Sequence, residues 1–295
     1  ETERYLRDRL GAISAEEVRA LHELTDGWVA GLQLFALDLR AKRGGPYQPV
    51  EVRDAQAFSR YFEREVLVRM AVEDLDMLTR TAICERVCGS LCAELMGQPG
   101  GGVQLDARLA RLEHDNFFLA RVAGDEGDAW YRFHPLLRET LLARLMQRPE
   151  SERIALHRSA WKWFASRGDI DAAVDHAVQA GEKEEAAGMV QACGHGLLAR
   201  GEISQLWGLL RRLPDEQVQQ RFDLHVLMAY LYMYGRNTSA LERSLERMQK
   251  AADALDAHQR YYLVLLRSAV AGQGDDPDTV GRLLPEVRHI PPRAA

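Results

Sequence analysis

A chain of 295 residues can hold two or three domains with real cores, and 46% apolar with 28% charged residues is the composition of a folded protein. The formal charge of −6 lacks the broad basic footprint of a nucleic-acid-binding domain, and no apolar run approaches the roughly 20 residues of a membrane span. Four cysteines do not make a disulfide framework, so the expectation is a reducing, cytoplasmic compartment with no membrane partner.

In chain order, nearly everything before residue 115 reads as helix. Ser14 with Glu17 three residues on has the form of a capping box, followed by Val18, Leu21 and Leu24 at helical spacing. Asp26-Gly27 punctuates before the apolar helix "WVAGLQLFALDLR", and the Gly and Pro of "KRGGPYQPV" (42–50) make a linker. Helical periodicity resumes at Phe58, Tyr61, Phe62, Glu65, Val66 and Met70, and again at Leu75, Leu78, Thr79 and Ala82. Cys84, Cys88 and Cys92 then fall at i, i+4 and i+8, one stripe of a helix. They lack the paired C-x2-C of a metal site and read as small buried apolar residues.

"GQPGGG" (97–102) breaks the pattern before a helix at about 104–114, and it lacks the Gly-Lys-Ser/Thr ending of a phosphate loop. "NFFLARV" and "AWYRF" flank the turn-rich "AGDEGD", a β-hairpin signature. Helices followed by a hairpin predict a winged helix, closed by a helix from Pro135, where proline is tolerated because its missing N–H is unpaired in any helix. Duplex DNA suits this module poorly. Arg108 and Arg111 on the helix before the hairpin are offset by Asp106, Glu113 and Asp115, and three carboxylates stand at the wing tip.

From residue 150 the chain reads as helix to its end, and it repeats. Trp163/Gly168 and Tyr230/Gly235 share an aromatic-to-glycine spacing of five, Ala173 and Ala240 follow five later, and Gly201 lies between. Separations of 33 and 34 are those of tetratricopeptide-like hairpins, with a fourth turn near Gly274, 39 further on. On a 100° wheel Leu227, Tyr230, Leu231 and Tyr234 form the expected packed face, with His225, Ala229 and Tyr232 opposite. Shifting by the repeat maps His225 onto Gln191 and Arg158, and Ala229 onto His195 and Lys162. If first helices line the concave side, Arg158, Lys162, Gln191, His195, His225 and Tyr232 share a polar surface for a small polar or anionic ligand or an acidic peptide. An ordinary solvated face is the alternative. No catalytic or metal motif occurs: neither G-x-x-x-x-G-K-[ST], G-x-S-x-G nor H-E-x-x-H is found.

Three stretches carry a resemblance: "LTDGWVAGLQLFALDLR" (24–40), "RLEHDNFFLARV…WYRFHPLLRETLLARL" (111–145) and "LHRSAWKWFASRGDIDAAVDHAVQAGE" (156–182). Their order and spacing resemble the central part of the large ATP-dependent LuxR-type transcriptional activators, the MalT-like family of STAND proteins. The resemblance implies a mainly α chain: the end of the ATPase module's helical domain (1–45), a winged helix with one β-hairpin (46–149) and an incomplete tetratricopeptide-like superhelix (150–295). The opening "ETERYLRDRL" and closing "RHIPPRAA" fit a segment of a longer protein. The resemblance further implies that ATP or ADP is held by the protein's own nucleotide-binding domain outside this chain, so no cofactor belongs to the segment itself. DNA would be met only through a C-terminal domain, and an inducer or regulatory protein would bind the superhelix. His134, in Phe133-His134-Pro135, matches the family histidine that touches the β-phosphate of ADP; a helix cap is its simpler role. Gly27-Trp28-Val29 lacks the proline of the family's Gly-x-Pro, which puts a nucleotide contact at Val29 in doubt. The rival reading is a helical-repeat scaffold for protein partners, without nucleotide switching.

Overall fold

The structure is a computed structural model that describes residues 67–288 apart from 116, 125–126 and 251–254, together with Ala15, Val18 and Arg19. Apart from Ala15, Val18 and Arg19, the helical-domain assignment (1–45) lies outside the described residues, as do the linker, the Gly27–Val29 stretch and most of the 58–70 helix. The described chain is mainly α with one small sheet, and it divides within a long helix into residues 1–163 and 164–295. The expected division at 149/150 falls at the start of that helix.

The first unit contains α1 (Val72–Thr81), β1 (Arg86–Val87), α2 (Gly89–Leu95), α3 (Gly102–His114), β2 (Leu119–Val122), β3 (Trp130–Phe133), α4 (Pro135–Leu145) and most of α5 (Glu150–Ser166). The predicted hairpin is present, with Leu119 opposite Phe133 and Val122 opposite Trp130. β3 is central, because β1 pairs antiparallel on its other edge. That third strand corrects the helical reading of the cysteine stripe. Cys84 lies in a turn and Cys88 precedes α2, yet Cys84, Cys88 and Cys92 are all buried, as expected of small apolar side chains.

The core is built of Met77, Leu78, Leu91, Leu109, Leu112, Leu136, Leu137 and Leu141, each at 1% exposure or less. Helices α2 and α3 pack together, as do α1 and α4. The glycines of 89 and 102 set the closeness of the first pair, since a Cβ on Gly89 would stand 2.2 Å from the Gly102 carbonyl oxygen. Buried hydroxyls are satisfied locally: Thr79, Thr81 and Thr140 donate to the carbonyls of Leu75, Met77 and Leu136.

The second unit holds α6 (Ile170–Gln179), α7 (Lys183–Ala199), α8 (Ile203–Arg212), α9 (Asp215–Gln220), α10 (Phe222–Tyr234), α11 (Thr238–Lys250), α12 (Ala257–Gln273) and α13 (Pro277–Val287). Helix α7 packs on α8 and α10, α10 on α11 and α12, and α12 on α13, the neighbour-to-neighbour pattern of stacked helical hairpins. One turn recurs at the end of α5, α7, α10 and α12. Its left-handed residues are Gly168, Gly201, Arg236 and Asp275, each followed by a residue whose N–H closes back on the carbonyl of Phe164, Leu197, Tyr232 or Ala271. Asp169, Asn237 and Asp276 then cap the next helix with their side chains.

This turn corrects the repeat register. Gly235 and Gly274 have ordinary negative φ, and the residues equivalent to Gly201 are Arg236 and Asp275. The spacings are therefore 33, 35 and 39, so Gln191 is equivalent to Val226 rather than His225, and His195 to Tyr230 rather than Ala229. A slip of one residue rotates a helical position by about 100°. The packed face of α10 shifts accordingly: Val226, Leu227, Ala229 and Leu231 are buried, while Tyr234 is 60% exposed.

Candidate functional site

His134 sits between β3 and α4, and its N–H donates to the Phe118 carbonyl at 2.8 Å, extending the hairpin by one bond. The half-buried imidazole caps α4: Nδ1 accepts the Leu136 N–H at 3.3 Å, with Pro135 at the first helical position. Its ring meets the Phe118 ring edge-on at 5.7 Å. A neutral imidazole that accepts at Nδ1 carries its proton on Nε2. Capping therefore fixes the tautomer in which the ring's other nitrogen is a donor, and the cap and sensor roles are compatible in one side chain. One turn on, Arg138 grips the end of α1 through the carbonyls of Ala82, Ile83 and Cys84 at 2.9 to 3.3 Å.

The arginines of α3 are already engaged. Asp74 on α1 is buried and forms ion pairs with Arg108 at 3.2 Å and with Arg111. That ties α3 to α1 and removes two of the cations a recognition helix would use on phosphates.

Of the six residues proposed for one polar surface, two lie in the first unit and the four in the second unit fall into different settings. Arg158 and Lys162 are exposed on α5 in the first unit, with the Lys162 ammonium 5.7 Å from the Trp161 ring. Gln191 is a structural bridge: its Nε2 donates to Asp223 at 2.6 Å and its Oε1 accepts from Arg221, which also pairs with Glu184. His195 stacks near Tyr262 of α12 at 5.8 Å, and Tyr262 in turn meets His258 at 5.0 Å.

His225 and Tyr232 line a different place, a cavity of about 460 Å³ walled by α8, α9, α10 and α11. The register slip accounts for the separation, because it turns His225 away from the side that carries Gln191. Trp207, Met228, Leu210 and Val218 supply the apolar wall, and the Trp207 and Tyr232 rings meet edge-on at 6.0 Å. Arg211, Arg243 and Arg247 stand around it against a single carboxylate, Asp215. Burial, with the nearby Arg247 guanidinium second, holds the His225 imidazole below the usual histidine range. The sequence reading missed these arginines because it followed first helices only, and two of the three lie on α11. Among the described residues no group of His, Cys, Asp and Glu is placed to hold a metal ion, and no helix is long and apolar enough to cross a membrane.

The chain is similar to several known proteins. Residues 63–153 match the MalT winged helix domain. The serine/threonine-protein kinase PknK of Mycobacterium tuberculosis (strain CDC 1551 / Oshkosh) is 30% identical over 292 residues, covering 94% of this chain and 25% of the kinase. The HTH-type transcriptional regulator MalT of Cronobacter sakazakii (strain ATCC BAA-894) is 27% identical over 261 residues, covering 87% of this chain and 28% of the regulator. Among solved structures, a STAND protein with a tetratricopeptide repeat sensor from Pyrococcus horikoshii aligns with a TM-score of 0.48 at 14% identity, covering 97% of this chain and 40% of that one. The chain spans less than a third of the length of the curated relatives it matches.

Proposed function

We propose that this chain, whose residues 63–153 match the MalT winged helix domain, is the regulatory and effector-sensing segment of a signal-responsive, ATP-dependent transcriptional activator. The observation that carries the reading is His134, which caps α4 through Nδ1 at the strand-to-helix junction inside the matched domain. In this reading its Nε2–H donates to a phosphate of ADP held by the protein's own nucleotide-binding domain, and the helix N-terminus adds a favourable dipole. ADP then holds the winged helix against the ATPase domain, and an inducer or regulatory protein on the helical repeats releases it. The segment is itself no enzyme, DNA is met through another domain, and the protein works in the cytoplasm.

Two relatives support a switching role over an output role. One is named a kinase and the other a transcriptional regulator, yet this chain aligns with both along most of its length. In this reading the segment that both share with this chain does the sensing and coupling. The kinase relative favours a second reading of the output, in which the same switch gates a kinase domain; the full-length reading frame separates the two.

The test uses the full-length protein with His134→Asn, which keeps an N-cap acceptor but removes the ring. Losing one charge-assisted hydrogen bond corresponds to at least a tenfold loss of ADP affinity and a rise in output without inducer. Unchanged ADP retention and unchanged basal output would leave His134 as a cap alone and overturn the reading.

A further inference from the structure

We infer that the cavity between α8, α9, α10 and α11 binds a small phosphate monoester carried on a sugar-like ring. The inference deepens the effector-sensing reading and rests on it, because it names the ligand class for the helical repeats.

Charge is the first argument. Arg211 from α8 and Arg243 and Arg247 from α11 line one cavity that offers only the Asp215 carboxylate in return. None of the three guanidinium groups is paired with an acid among the described residues, although elsewhere in the unit Arg212, Arg221 and Arg200 each hold a carboxylate. Arg243 and Arg247 are four residues apart on one helix, where like charges repel. All three arginines are solvent-exposed, so their mutual repulsion is modest, and an anion seated in the cavity would accept from them without displacing an existing partner.

Shape and polarity define the anion. About 460 Å³ lies within the range of small-molecule sites and is too small for a folded partner. A carboxylate has two oxygens and suits one guanidinium fork, whereas the three terminal oxygens of a phosphate monoester can accept from several. His225, held neutral mainly by burial, and Tyr232 line the same space and add neutral polar side chains. Trp207, Met228, Leu210 and Val218 form the apolar side, against which the C–H face of a sugar ring can lie. Buried Ser244 closes the lining between the two α11 arginines.

The experiment measures binding to the 295-residue chain by calorimetry and thermal shift, using inorganic phosphate, glucose 6-phosphate, AMP and glucose at matched ionic strength. Binding of glucose 6-phosphate or AMP is expected, with inorganic phosphate weaker and glucose silent; the stronger of the first two tells a free sugar phosphate from a nucleotide. Each of Arg211→Gln, Arg243→Gln and Arg247→Gln is expected to weaken binding about tenfold. Trp207→Ala should weaken glucose 6-phosphate or AMP but not inorganic phosphate. The triple arginine variant should lose binding while keeping its circular dichroism spectrum, and Arg243→Lys with Arg247→Lys should recover part of it. Equal binding by the triple variant, glucose bound as well as its phosphate, no binding by any phosphate probe, or a poly-glutamate peptide bound more tightly than glucose 6-phosphate would each overturn the inference. His134→Asn leaves this binding unchanged, so failure of the cavity and failure of the nucleotide switch are separately visible.

Discussion

The Nδ1 of His134 accepts the backbone N–H of Leu136 at 3.3 Å, so the residue most suggestive of a ligand contact is also the residue that starts α4. The two roles separate by substitution. His134→Ala removes the acceptor and should lower stability by about 1 kcal/mol, while His134→Asn should restore most of it. Urea unfolding of the 295-residue chain reads this directly. Equal stability of the Ala and Asn variants would mean that the cap contributes nothing, and any nucleotide effect of His134→Ala would then belong to the ring alone.

Asp74 is the polar anchor of the first unit. Its side chain is 3% exposed, whereas those of Arg108 and Arg111 are 36% and 53% exposed, so solvent screens the cations but not the carboxylate. Removing a buried carboxylate leaves a cavity and two unneutralised arginines, and Asp74→Ala should cost about 2 kcal/mol. Asp74→Asn, which keeps shape and an acceptor, should cost less. An unfolding midpoint unaffected by Asp74→Ala would remove the pairing between α1 and α3 from the account of stability.

What the sequence revealed depended on how local the signal was. The hairpin and the start of α4 were legible because alternation, a turn-rich "AGDEGD" and a proline at the first helical position all act over a few residues. β1 was not, since two residues carry no period and the cysteines on either side mimic a helical stripe. The helical repeat was legible as an architecture but misread by one residue. Glycine marks the left-handed position in the first two turns, whereas Arg236 and Asp275 occupy it in the next two, each just after a glycine of ordinary φ. That single slip separated His225 from the side of Gln191, while the cavity's arginines escaped notice because two of them lie on the second helix of the hairpin.

The cavity also gives a pH dependence with a definite sign. His225 has a folded pKa below its unfolded value of roughly 6.5, first from burial and second from Arg247. The unfolded chain therefore takes up this proton more readily. Its contribution is favourable above about pH 6.5 and is lost as pH falls through that value and below. Arg211, Arg243 and Asp215 line the same cavity. Arg247→Gln removes the second cause, so the His225 resonance should titrate higher and the acid loss of stability should shrink. An imidazole titration unchanged by Arg247→Gln would show that burial alone sets the shift.

The recurring turn yields the last expectation. Gly201 has φ +75°, Arg236 +53° and Asp275 +53°, all at the same point of the repeat. A residue with a Cβ in this conformation is strained by roughly 1 kcal/mol, and aspartate tolerates it better than arginine because its short polar side chain can bond locally. Arg236→Gly should therefore raise stability, by somewhat less than that strain because glycine also gains freedom in the unfolded chain. Asp275→Gly should gain less. Gly201→Ala should lose about 1 kcal/mol, although open space surrounds the position where its Cβ would go, so the loss would be conformational rather than steric. Effects at separate turns with no shared side-chain partner add, so the gain at Arg236 and the loss at Gly201 should nearly cancel in the double variant. Urea midpoints for the three single variants and the double variant test the order. A destabilising Arg236→Gly would mean that the arginine's own contacts outweigh the strain of its backbone.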